Sequence, residues 1–257
     1  MRRKAGIIQI IKEIINGIKK QTVDLLFPRR CPLCDDVLPV FEISQEGACI
    51  CPECKKKLKI VKEPVCKKCG KPLERERAEY CLDCVKKRHV FVQGKAVFEY
   101  CGDLQQSLYR FKYANRREYA DFYAAEAAKR YEKWIKQHNI QVIVPIPLYK
   151  KKQKKRGYNQ AEVFAKALGE KVGIPVCTDL LTREKNTIPQ KELNETERKN
   201  NLKNAFKITK NIVQLSYILL VDDIYTTGST IDAAATVLRE AGCKYIYFIC
   251  VSIGRGF

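Results

Sequence analysis

Residues 217–238 read YILLVDDIYTTGSTIDAAATVL, and the residues capable of chemistry sit in the middle of that stretch. Thr226, Thr227, Gly228, Ser229 and Thr230 combine four hydroxyls with a glycine, just ahead of an Ala-rich helical pattern. Unpaired N–H groups at a helix start favour an anion, and the hydroxyls add donors, so the segment predicts a phosphate cradle. Asp222 and Asp223, immediately upstream, would repel a phosphate and need another partner. Ribose hydroxyls, each able to donate to a carboxylate, suit that role. The plainer reading is a buried strand followed by a helix capped with Thr or Ser. A P-loop is excluded, because Gly-x-x-x-x-Gly-Lys-[Ser/Thr] occurs nowhere.

Thiols form the second group. Cys31/Cys34, Cys51/Cys54, Cys66/Cys69 and Cys81/Cys84 are four Cys-x-x-Cys pairs. Each pair can present two thiolates from one tight knuckle, and two knuckles complete a tetrahedral zinc site. Two structural zincs are expected, with the pairs taken in sequence order. Crossed pairing, a redox Cys-x-x-Cys, or one zinc with a degenerate partner are the alternatives. Pro32, Pro52, Gly70 and Pro72, among few large apolar residues, leave little core without metal, so metal binding is expected to be coupled to folding. Such closed sites offer no open coordination position and are assigned no catalysis; Cys49 is read as a spare thiol.

Cations form the third. Lys112 lies inside the aromatic run Phe111-Lys112-Tyr113, and KKKQKKR at 150–156 leads into Gly157-Tyr158-Asn159-Gln160. A basic loop between a strand and a helix marked by Asn159 is again an anion-site layout. Lys112, Arg156 and Gly157 are therefore candidates for pyrophosphate or nucleic-acid contact, with Tyr149 and Tyr158 as base-stacking neighbours. A solvated basic loop is the plainer reading. His89 and His138 stand alone in sequence, with no nucleophile–base pairing, and Cys177, Cys243 and Cys250 sit in apolar contexts as buried thiols.

The elements that must position these groups alternate. Apolar runs at 90–100, 142–147, 218–221 and 245–252 read as strands, and amphipathic patterns at 107–113, 118–138 and 161–172 as helices. That order predicts an α/β fold with a mainly parallel sheet flanked by helices. The polar stretch 187–204 reads as an excursion able to close over a ligand. Isoleucines at 7, 8, 11, 14, 15 and 18 predict an N-terminal amphipathic helix, docked on protein or laid on a membrane surface as a peripheral contact. The expected organisation is a helix over 1–27, a zinc-ribbon module over 28–88 and the α/β domain over 89–257.

Across 257 residues, 49 Lys and Arg face 29 Asp and Glu, a formal +20 that favours nucleic acid, phosphorylated metabolites or anionic membranes. Thirteen cysteines would suggest disulfides in a small secreted protein. Here the apolar N-terminal segment is broken by Gln9, Lys12 and Glu13, unlike a signal peptide, and no stretch approaches a membrane span. A reducing cytoplasm is the expected compartment.

Two resemblances sharpen these expectations. The apolar strand, Asp222-Asp223 and Thr226–Thr230 resemble the PRPP-binding motif of type I phosphoribosyltransferases. The resemblance implies that the two acids hold the ribose hydroxyls and the loop holds the 5-phosphate. Leu25-Leu26-Phe27-Pro28 before Cys31-Pro32-Leu33-Cys34, the run from Cys66 to Leu73, Phe111-Lys112-Tyr113, Pro145-Ile146-Pro147 and Arg156 to Gln160 extend it. Together they resemble the ComF-type competence proteins (ComFC), with a double zinc ribbon ahead of a type I phosphoribosyltransferase-like domain. This implies a role in natural transformation with imported single-stranded DNA. Implied partners are PRPP with magnesium, a ComFA-type helicase, the uptake channel or a recombination mediator. The alternative is an active phosphoribosyltransferase of nucleotide metabolism that transfers the phosphoribosyl group of PRPP to an unidentified acceptor and releases pyrophosphate; no segment announces the acceptor pocket.

Overall fold

The computed structural model describes residues 28–38, 50–75, 77–184, 205–210 and 214–254. The isoleucine helix expected over 1–27, Cys49 and the polar excursion 187–204 lie outside them. By contacts the chain forms two compact units, Met1–Lys57 and Leu58–Phe257. The first contains helix α1 (Pro52–Lys57) and two of the cysteine knuckles.

The second unit is built on four parallel strands: β1 (Gln93–Glu99), β2 (Val142–Pro145), β5 (Tyr217–Tyr225) and β6 (Tyr245–Ile253), in the order β1-β6-β5-β2. Parallel strands need crossovers, and helices supply them: α3 (Asp103–Tyr113) and α4 (Tyr119–Gln137) before β2, α5 (Lys150–Arg156) and α6 (Gln160–Val172) after it, and α7 (Ser229–Glu240) between β5 and β6. Ile218 to Val221 and Ile246, Phe248, Ile249, Cys250 and Val251 are wholly buried, as a sheet covered on both faces requires. A short antiparallel pair, β3 (Leu181–Arg183) and β4 (Phe206–Ile208), precedes β5.

Register decides where chemistry can occur. β2 pairs with β5 from Val142↔Ile218 to Pro145↔Val221, so Asp222 to Tyr225 continue past the end of β2. The crevice outside the carboxyl ends of parallel strands is where such sheets bind ligands.

The edge of β1 is covered by the segment that carries the second pair of knuckles. Ile60 bridges Phe98, Val61 N–H donates to Val97 O (3.0 Å), and Gly94 N–H donates to Lys68 O (2.8 Å). Helix α2 (Leu82–Lys86) closes this segment. Cys66 and Cys69 are buried in one apolar cluster with Phe91, Tyr225 and Phe248.

The run 150–156, expected as a loop, is helix α5. Its Lys, Gln and Arg residues are all good helix formers, and it stops where Gly157 takes a left-handed φ of 84°.

Candidate ribose-phosphate site at the end of the sheet

Strand β5 delivers Asp222 and Asp223 beyond β2, and the turn that follows delivers the hydroxyls to the start of α7. Asp222, Ile224, Tyr225 and the residues Thr226 to Ile231 line an open hollow of about 240 Å³, its solvent-filled mouth included. Thr226 and Thr227 are exposed, and the Thr227 and Ser229 hydroxyls lie 3.0 Å apart. Gly228, the residue before α7, has a φ of 77°, and a Cβ there would run into the Tyr225 hydroxyl and the His89 ring. Glycine is thus required by both backbone and space.

Asp223 is buried and forms an ion pair with Lys112 on α3; Gln160, the first residue of α6, donates from Nε2 to its Oδ1 at 3.2 Å. Arg156 at the end of α5 donates to Gln160 Oε1. The result is a chain of contacts Arg156–Gln160–Asp223–Lys112. Its polarity is set by position. Burial opposes the charge of Lys112, but Asp223, with Asp222 behind it, outweighs that cost and raises its pKa. Burial likewise opposes the Asp223 carboxylate, while Lys112, Asp222 and Gln160 lower its pKa. Asp222 moves the other way: burial and the adjacent Asp223 charge push it well above the ordinary carboxylate range. The Asp222 Oδ1 also accepts from the Asp223 N–H at 2.8 Å.

The neighbouring elements are held by specific contacts. Asn159 caps α6 by accepting from Ala161 N–H (3.1 Å) and donates from Nδ2 to Ile146 O (3.0 Å), fixing α6 at the end of β2. Tyr158, read as a base-stacking residue, is instead buried; its hydroxyl donates to Phe111 O, and the Arg117 guanidinium covers its ring at 4.5 Å. Arg156 stacks on Tyr113 at 4.9 Å. Gly157 is exposed and ends α5, so it serves as a turn that presents Arg156.

Three participants were not visible in the sequence. Gln160 read as an ordinary residue near a helix cap. Arg183 on β3 feels the charge of Asp222 and lies over Phe206 at 5.4 Å. His89, read as isolated, has its Nδ1 2.7 Å from Asp232 Oδ2 across 143 residues of sequence. The same carboxylate accepts from Lys87 Nζ (2.6 Å) and, through Oδ1, from Val90 N–H (3.1 Å). Asp232 lies in the first turn of α7, so these bonds tie the chain leaving the second knuckle pair to the helix that opens at Gly228.

The cysteines form two groups, Cys31/Cys34/Cys51/Cys54 and Cys66/Cys69/Cys81/Cys84, with the sulfurs of each group within 4.8 Å of one another. Consecutive pairs converge, as sequence order suggested. The Cys34–Cys51 and Cys69–Cys81 sulfurs are 3.9 and 3.6 Å apart. Tetrahedral zinc with Zn–S bonds of about 2.3 Å requires sulfurs roughly 3.8 Å apart, whereas a disulfide needs about 2.05 Å. Both groups therefore fit structural zinc. In the second group, Lys71 is buried and pairs with Asp83 on α2 at 2.5 Å.

Known proteins resemble this chain over its thiol module and over most of its length. A family model described as a double zinc ribbon domain matches residues 22–85. Competence protein F of Haemophilus influenzae is 32% identical over 231 residues, covering 86% of this chain and 95% of that protein. Competence protein ComFC of Bacillus subtilis is 30% identical over 199 residues, 75% of this chain and 79% of that one. Among solved structures, a purine phosphoribosyltransferase from Pyrococcus horikoshii overlaps 51% of this chain and 72% of its own, at 18% identity and a TM-score of 0.32. Zinc knuckles ahead of a parallel sheet, and sequence identity running through both, place this chain in the ComF family of competence proteins.

Proposed function

We propose that this protein acts in DNA uptake, binding PRPP or a related ribose phosphate with magnesium and working on imported single-stranded DNA in the cytoplasm. The observation that carries the ligand assignment is the placement of Asp222 and Asp223 at the free end of β5, directly before the hydroxyl-lined hollow at the start of α7. In this reading Thr226, Thr227, Gly228, Ser229 and Thr230 receive the 5-phosphate. Ribose hydroxyls donate to Asp222 and Asp223, and the pyrophosphate lies toward Lys112, Arg156 and Gly157. Bound with the ligand, magnesium would offset the charge of the pyrophosphate. DNA phosphates alone have no use for a pair of carboxylates, which is why a ribose-bearing small molecule is included.

The DNA part rests on the relatives, which include a DNA utilization protein of Escherichia coli 27% identical over 205 residues, and on the formal charge of +20. A ComFA-type helicase, the uptake channel or a recombination mediator are the proposed protein partners. Isothermal titration of PRPP with magnesium is the direct test. The wild type should bind, and Asp222→Ala/Asp223→Ala should lose at least tenfold in affinity, the equivalent of about 1.4 kcal/mol. A wild type that does not bind PRPP removes this reading. Pyrophosphate released on incubation with candidate bases would favour the transferase alternative.

A further inference from the structure

Gly228 is gripped on two sides. Its carbonyl accepts from the Asp232 N–H at 2.8 Å, and the face where a Cβ would project is closed by the Tyr225 hydroxyl and the His89 ring. The Asp232 carboxylate in turn holds His89 Nδ1, so Gly228, Asp232 and His89 form a closed circuit of contacts at the start of α7. A carboxylate only accepts, which makes Nδ1 the protonated nitrogen and leaves Nε2 as an acceptor. That Nε2 is buried and has no hydrogen-bond partner among the described residues, and the same holds for the Tyr225 hydroxyl. Buried polar atoms without partners are unfavourable and rare, and two beside one glycine call for a function. One of them accepts; the other can donate.

The rings that carry these atoms are held by packing. Tyr225 stacks on Phe248 and His89 on Phe91, each with centroids 4.7 Å apart, and Phe91 meets both Tyr225 and Phe248 edge-on. Thr226, the first of the loop hydroxyls, directly follows Tyr225, so an anion that draws the loop together pulls on Tyr225. We propose that a phosphate seated on Thr226 to Thr230 closes a hydrogen bond from the Tyr225 O–H to His89 Nε2, and that the line Asp232–His89–Tyr225 then positions the loop. The proposal rests on the phosphate reading above. Tyr225 and His89 are positioning residues in it, acting through Gly228 rather than on the phosphate. The bond also meets an electrostatic difficulty. Asp232 places a buried carboxylate in the first turn of the helix that is to receive an anion. A donor on Nε2 polarises the ring and strengthens the Nδ1–H bond to that carboxylate, which lessens its repulsion of the phosphate.

The test titrates ribose 5-phosphate into the full-length, zinc-loaded protein and follows the ring nitrogens of isotope-labelled histidine by NMR. The chain has two histidines, and His138 lies against Tyr247 at the other end of the sheet as an internal control. His89 Nε2 should move on binding while His138 stays still. Tyr225→Phe keeps the ring stack and removes only the hydroxyl. It should weaken ribose 5-phosphate roughly five- to tenfold, the usual worth of one hydrogen bond, and abolish the Nε2 response. Its urea unfolding midpoint should be unchanged or slightly raised, because an unpaired buried hydroxyl contributes nothing to the unliganded fold. An unmoved Nε2, wild-type affinity in Tyr225→Phe, or a loss of stability in that variant each overturns the proposal while leaving phosphate binding intact. A wild type that does not bind ribose 5-phosphate instead defeats the phosphate reading, and the positioning bond with it.

Discussion

Asp232 holds three groups at once: the Lys87 ammonium, the His89 ring and the Val90 amide. Burial works against its carboxylate, but His89 and Lys87 outweigh that and keep its pKa below the ordinary value. Asp232→Asn should destabilise the fold by about 1–3 kcal/mol, the cost of leaving such partners incompletely satisfied, as read by urea unfolding. The pH dependence has a definite sign. Because the native pKa is lowered, the contribution of Asp232 is present above its unfolded value near pH 4 and is lost as pH falls through the lower native value. The gap in stability between wild type and Asp232→Asn should therefore close on acidification below about pH 4. A gap that stays constant to lower pH would contradict the assigned role. The same bookkeeping applies to Asp223, whose lowered pKa depends on Lys112. Lys112→Met leaves a buried carboxylate without its cation and should raise the pKa of Asp223, observable by carbon-detected NMR titration.

At the scale of elements, α3, α6 and α7 converge on the end of β5, each through one or two residues that the hydrophobic pattern does not distinguish from its neighbours. Apolar periodicity placed the helices well: the expected 118–138 and 161–172 became Tyr119–Gln137 and Gln160–Val172. It could not show that Gln160 faces Asp223, because a polar residue in a first helical turn reads as a cap whichever way it points. Tyr158 failed as a stacking residue for the converse reason. An aromatic beside a basic run looks available until packing shows that Phe111 and Arg117 have claimed it. The zinc groups differ in what they support. Cys69 is buried in the core with Phe91, Tyr225 and Phe248, whereas Cys34 is exposed in the other unit. Structural zinc contributes an apparent 10–16 kcal/mol or so, at or above a whole domain's usual stability of about 5–15 kcal/mol. Cys69→Ser should thus abolish the cooperative unfolding of the sheet, while Cys34→Ser should leave that transition in place with about one zinc per chain. Metal analysis alongside thermal circular dichroism distinguishes the two. A sheet transition unchanged by Cys69→Ser would show that the second group is not part of its core.

For the whole molecule, charge is the dominant fact. An excess of +20 draws polyanions without reading sequence, and the cations on and beside α5 give the attraction a place to act. Oligothymidylate affinity should fall steeply with salt, with a log–log slope of about −0.7 per phosphate contacted. Replacing Lys151, Lys152, Lys154 and Lys155 with Gln should make that slope shallower by roughly 3. Affinity indifferent to salt would contradict backbone tracking. Among the described residues no helix is long and apolar enough to cross a membrane.

The sequence by itself determined the parts whose physics is local. Four Cys-x-x-Cys spacings define knuckles, and a strand running through two acids into TTGST defines a loop at a helix start; neither depends on distant residues. The alternation of elements likewise implied a parallel sheet. Tertiary structure alone decided which groups meet. Lys112 and Asp223 are 111 residues apart, and His89 and Asp232 143, so no periodicity could join them. It also set the two acids of the pair apart. Adjacent carboxylates are equivalent in sequence, and only the ammonium of α3 and the amide of α6, arriving on one side, lower the pKa of Asp223 while burial and the neighbouring charge raise that of Asp222.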